Sequence, residues 1–130
     1  MIDWNDLIGL QYKFGTSPED GSGFTDCFSL CMEVRKRLGL KLLRRDFKWV
    51  YDEYSETTLT TKQILKWFTT YGEIITSPRP GAIFGIPHGA MMFPMAVVAS
   101  EGDCLFISPG KMVVAAPLSL MAPSKFFWAD

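Results

Sequence analysis

The stretch that decides the fold of this 130-residue chain is 25-TDCFSLCMEVRKRLG-39. It contains no proline, and no glycine before Gly39, so it can continue as a helix over several turns. Its apolar residues at positions i, i+4, i+7 and i+11 form one stripe, which consists of Cys27, Cys31, Val34 and Leu38. Thr25 suits the N-cap, while basic residues in the last turns and the closing glycine suit a helix C-terminus. The stretch predicts an amphipathic helix that ends at Gly39.

The C-terminal half has a different pattern. Short runs of apolar or β-branched residues lie at 82–86, 96–100, 105–108 and 112–116. The turn-forming segments 101–103 (Glu-Gly-Asp) and 109–111 (Pro-Gly-Lys) separate the last three runs, which is typical of antiparallel hairpins. Helices followed by a strand meander predict an α+β fold, with helices packed on an antiparallel sheet of about four to six strands.

The remaining segments fit one domain. A short helix is predicted over residues 2–10 and another from about residue 60 to residue 71. The segment 40–56 mixes basic and aromatic residues, and we interpret it as an irregular cover for the core. We therefore expect a single domain over residues 1–130, made of a helical half (1–76), a sheet half (77–120) and an aromatic tail (121–130).

Composition excludes several classes of function. A net charge of −1 gives no basic excess for nucleic acid, and no apolar run reaches the length of a membrane span. The acidic N-terminus lacks a signal-peptide pattern. Three cysteines and a single histidine, His88, are too few ligands for a typical zinc site, so we expect reduced thiols, no metal and no cofactor.

Cys27 lies close to the start of the predicted helix. Free backbone N–H groups and the positive end of the helix dipole favour a thiolate there and can stabilise an oxyanion. This position suits a nucleophile. The alternative is that Cys27 simply begins the buried stripe, because free cysteine is often a core residue.

Two segments carry a resemblance to a known family. Residues 9–15 read GLQYKFG, and residues 23–30 read GFTDCFSL after a glycine-rich loop. This arrangement resembles the NlpC-type papain-like cysteine hydrolases, in which a Tyr-x-aromatic-Gly segment precedes an Asp-Cys helix start. Residues 79–84 (RPGAIF) are similar to the opening of the family's first core strand. Small relatives of this type occur among bacteriophage tail proteins.

The resemblance implies roles for particular residues. Cys27 takes the nucleophile position, Asp26 precedes it as in the family, and Tyr12 matches a tyrosine that lines the active site. The family's histidine base opens the second core strand, where this chain has Met95, and the third polar position falls near Ile107 or Ser108. Three functions remain open: a catalytically degenerate structural or adaptor domain, an active cell-wall peptidase in which His88 serves as the base, or a non-enzymatic module that binds a peptide or glycan in the retained groove.

The resemblance also implies a location and partners. We expect the chain in the virion, in a phage tail, or in the host cytoplasm before assembly. Other protein chains are the expected partners, through the apolar loop 91–95 and the tail 121–130, where aromatic residues either fold back or insert into a neighbour. A cell-wall peptide is a further expected ligand.

Overall fold

The computed structural model describes residues 2–40, 70, 72–85, 95–107, 111–121, 123 and 125–128. The helical elements in this part of the chain are a 3₁₀ turn at Pro18–Asp20, helix α1 at Cys27–Arg37 and the short helix α2 at Leu118–Met121. The strands are β1 (Gln11–Tyr12), β2 (Phe24–Thr25), β3 (Glu73–Ile75), β4 (Ile83–Gly85), β5 (Met95–Ser100), β6 (Asp103–Phe106), β7 (Val114–Pro117) and β8 (Phe126–Trp128).

A six-stranded sheet forms the centre of the fold. Its strand order is β3-β8-β4-β5-β6-β7, and each described pair of neighbours is antiparallel. The α+β class and the meander are confirmed for β4 to β7, with boundaries shifted by at most two residues. The sheet also has a part that the sequence did not predict, because β8 from the tail lies between β3 and β4.

Helix α1 is confirmed, with one change at its start. The N-cap is Asp26 rather than Thr25, and Leu38 and Gly39 close the helix, the glycine at a φ of 74°. Four apolar side chains of α1 are buried in one cluster with β5: Cys27, Leu30, Cys31 and Val34. The helix therefore covers one face of the sheet.

The opposite face of the sheet is also buried. Its cluster contains Ala82, Phe84, Ala96, Val98, Cys104, Phe126 and Trp128. The rings of Phe84 and Phe126 pack edge to face with centroids 5.6 Å apart. The tail aromatics are 2% to 7% exposed, so residues 126–128 fold back into the sheet. In this structure they are not available as the contact surface that we expected from the tail.

The predicted helix over residues 2–10 is wrong. Residues 5–9 form turns, in which the N–H of Leu7 donates to the carbonyl of Trp4. Gly9 has a φ of 95°, which ends any helical run, and residues 9–12 then pair with residues 111–113. Arg37 holds this segment against α1 through an ion pair to Asp6 at 2.6 Å, and a second ion pair, to Glu33 at 2.8 Å, lies within the helix.

Some predictions concern residues outside the described part of the chain. These are the helix from about residue 60 to residue 71, of which only Thr70 is described and is helical, the aromatic segment 41–56, residues 109–110 of the predicted turn, His88, Ser108 and residues 91–94 of the apolar loop. Among the described residues, no helix is both long enough and apolar enough to cross a bilayer.

Candidate functional site

Cys27 is the first residue of α1, and its side chain faces the sheet. The backbone N–H groups of Met95, Phe28 and Cys27 itself lie near its sulfur and lower the pKa of the thiol. Met95 is the first residue of β5 and is 1% exposed. The structure therefore brings together Cys27 and Met95, the two positions that the resemblance assigned to a nucleophile and its base.

The pKa of the Cys27 thiol is raised, whereas a position at the start of a helix would by itself lower it. Burial, followed by the negative charge of Asp26, raises the pKa of the Cys27 thiol to about 12. The surrounding N–H groups act in the opposite direction, but they do not compensate for a side chain that is only 5% exposed. Desolvation therefore outweighs the helix N-terminus, which favours the alternative that Cys27 begins the buried stripe. Burial likewise raises the pKa of Cys31.

Asp26 connects the glycine-rich loop to the helix. One carboxylate oxygen accepts from the N–H of Ser29 at 2.8 Å, and the other accepts from the N–H of Gly15 at 2.9 Å. The residue is 3% exposed. A buried carboxylate that binds two backbone amides fixes the loop and caps the helix. These contacts give Asp26 a positioning role for Cys27.

The other predicted site residues have different outcomes. Tyr12 lies in β1, is half-buried, and packs against the core cluster that contains Cys27 and Met95. Ile107, one of the two residues predicted for the third polar position, is 1% exposed and aliphatic. His88 and Ser108 belong to residues that the structure does not describe. Asp26 is therefore adjacent to the cysteine, and Tyr12 packs against the same core cluster. Ile107 has no side-chain group that could exchange a proton.

A groove of about 490 Å³ lies at a different place. Trp4 and Ile8 of the N-terminal segment line one side, while Ala99, Leu105 and Ala115 line the sheet side. The sulfur of Cys27 contacts the opposite end of β5 from Ala99, so the groove is not the cysteine site. Local sequence patterns carry no signal for this groove, because tertiary pairing of residues 9–12 with 111–113 brings its walls together.

Neither a metal-binding cluster among the described residues nor a related protein identifies the chemistry of the site. Within the described ranges, no group of three or more His, Cys, Asp or Glu residues could hold a metal ion. No family model, no curated protein and no solved structure matches this chain. The candidate site therefore depends on the geometry around Cys27 alone.

Substitution of Asp26 by alanine is expected to destabilise the fold by about 2 kcal/mol, because it removes a helix cap and leaves two amides without their carboxylate. Asp20→Ala is a matched control, since exposed Asp20 accepts from the N–H of Ser17 at 2.9 Å. Its loss should stay below about 1 kcal/mol. Denaturant unfolding measures both variants, and equal losses would contradict the role given to Asp26.

Proposed function

We propose that this chain is a catalytically degenerate NlpC-like domain that serves as a structural or adaptor component of a bacteriophage tail. The observation that carries the proposal is that a methionine lies beside Cys27: the backbone N–H of Met95 approaches the sulfur, and both residues belong to one buried cluster. A thioether cannot exchange a proton with a thiol at neutral pH, so Met95 cannot replace a general base. The resemblance of residues 9–15 and 23–30 to the NlpC pattern supplies the phage context.

The protonation state of the sulfur supports the same proposal. Cysteine hydrolases need a thiolate, which is produced by a nearby base or by a lowered pKa. Here the pKa of Cys27 is raised to about 12, and the adjacent Asp26 contributes to the rise. An unreactive, buried thiol at a helix start fits a domain that retains the nucleophile position as part of its core without the catalytic function.

Hydrolysis of purified peptidoglycan tests the lost activity. The wild-type chain and Cys27→Ala are expected to release the same background amount of new amino groups, with an active cell-wall peptidase as the positive control. Release that depends on Cys27 would overturn the proposal. It would favour the alternative, an active cysteine peptidase that recruits His88 as its base.

The tail assignment has its own test. The test uses purified virions of a phage whose genome encodes this chain. Quantitative mass spectrometry is expected to find the chain at a fixed number of copies per particle. A peptidoglycan assay without activity, combined with absence from the particle, would leave the degenerate site intact but would refute the tail role.

A further inference from the structure

Strand β7 forms one end of the six-stranded sheet. Among the strands that the structure describes, it has a neighbour on one side only, β6. It is exposed at Val114, Ala115 and Pro117. An uncovered strand edge presents backbone donors and acceptors that can pair with another chain.

Hydrogen bonds on either side of β7 show which of its backbone groups face outward. The N–H of Val113 donates to Leu10 at 2.8 Å, on the side of the N-terminal segment, whereas the N–H of Leu118 donates to Gly102 at 2.7 Å, on the side of β6. Backbone groups alternate along a strand. The N–H and C=O of Ala115 therefore point to the outer edge, beyond the point where residues 9–12 stop pairing.

The groove described above reaches β7 at Ala115, Ala116 and Pro117, and it extends from there over β6 and β5. The N-terminal segment leaves the sheet at its turns over residues 5–9, so Trp4 and Ile8 form a wall that faces Ala115 across the groove. Ile8 keeps 43% of its surface exposed, although it is a large apolar side chain. An outward amide and carbonyl next to an apolar wall are the two features of peptide binding by strand addition.

The charge around the groove indicates which peptide would fit. Asp3 and Asp103 are both exposed and both line it, and none of the described lining residues is a lysine or an arginine. Opposite charges across an interface increase the association rate and the specificity. A basic segment is therefore favoured over an acidic one.

We infer that the edge of β7 and the adjoining groove form a docking site for an extended segment of another protein that alternates apolar and basic residues. The segment adds as a strand beside Ala115, places an apolar side chain against Trp4 and Ile8, and places a basic side chain near Asp3 or Asp103. The inference goes beyond the proposed function and does not depend on it, since the groove is separate from Cys27.

Fluorescence anisotropy with labelled Val-Lys-Val-Lys-Val-amide tests the site in the full-length chain. This peptide is expected to bind measurably at up to about 1 mM, and the Val-Glu-Val-Glu-Val peptide at least tenfold more weakly. Replacing both Asp3 and Asp103 by asparagine should remove the preference for lysine. Failure of the lysine peptide to bind at this concentration would overturn the inference.

Backbone pairing is tested separately. Ala115→Pro removes the outward N–H and should weaken binding at least tenfold, while Ala115→Ser keeps the N–H and should bind like the wild type. A lysine peptide with N-methylated amides removes the companion bond, from a peptide N–H to the carbonyl of Ala115, and leaves the protein unaltered in case the proline variant misfolds. Equal binding of methylated and unmethylated peptides would refute strand addition. A wild-type dimer that Ala115→Pro converts to a monomer would show that the occupant is a second copy of the chain, contrary to the inference.

Discussion

Cys27 in the folded protein is expected to react with iodoacetamide at pH 7 about 1,000-fold more slowly than an unstructured thiol. Only the thiolate reacts, and the pKa of the Cys27 thiol is raised from 9.0 to about 12. A rise of three pKa units lowers the thiolate fraction by about 10³ at any pH well below the ordinary value. Mass spectrometry of a Cys31→Ala/Cys104→Ala variant, in which Cys27 is the single remaining thiol, measures the rate.

Two controls separate the causes of this low reactivity. In guanidinium chloride the same variant should react at the rate of a free thiol, because burial is lost. In the folded protein, Asp26→Asn should increase the rate, because the charge of Asp26 is the second cause of the raised pKa. The increase should remain smaller than that on unfolding, since burial is the larger cause. Fast alkylation of the folded protein at pH 7 would contradict the inert thiol.

The raised pKa also predicts how stability depends on pH. Between pH 9 and about 12 the unfolded chain loses the Cys27 proton while the folded chain retains it. The contribution of Cys27 to the free energy of unfolding is therefore fully present below pH 9. Between pH 9 and about 12, this group alone should lower the free energy of unfolding by about 1.4 kcal/mol per pH unit. Denaturant unfolding of the single-cysteine variant, compared with the same variant carrying Cys27→Ala, isolates the contribution.

Local patterns in the sequence predicted the elements that depend on local physics. Helix α1 could be predicted because its apolar stripe, cap and closing Gly39 all lie within one stretch. Strands β4 to β7 could be predicted because turn-forming residues separate β-branched runs. The helix over residues 2–10 was wrong because Trp4, Leu7 and Ile8 fit a helical period, while the backbone beyond them pairs with residues 111–113.

Elements that depend on distant partners could not be predicted. Strand β8 pairs with β3 and β4, which lie more than 40 residues earlier in the chain, and three aromatic residues carry no information about such a partner. The state of Cys27 is similar. The sequence predicts its place at a helix start, but the depth of burial, which decides its pKa, is set by the strand that packs over it. The groove beside β7 also depends on tertiary pairing.

Substitution of Arg35 by alanine is expected to destabilise the fold by about 4 kcal/mol, the largest loss among the single changes considered. Arg35 is 0% exposed, and its Nη1 donates to the carbonyl of Gly81 at 2.9 Å. Its guanidinium also lies 5.2 Å from the ring centroid of Trp128 in the tail strand. The side chain therefore connects α1, the start of the sheet and β8, so alanine leaves a cavity and an unpaired carbonyl.

Three variants make the Arg35 prediction specific. Arg35→Met retains most of the volume without the charge and should lose about half as much, since apolar replacement of a buried ion is better tolerated than truncation. Arg37→Ala is a control on the same helix, because the partly exposed ion pair of Arg37 with Asp6 should contribute about 1 kcal/mol or less. Gly81→Ala tests the backbone segment whose carbonyl Arg35 binds. Gly81 has a φ of 94°, and an added Cβ there would overlap the side chain of Leu40. Denaturant unfolding ranks the variants, and a loss for Arg35→Ala no larger than that for Arg37→Ala would show that the buried guanidinium does not hold the tail strand in the sheet.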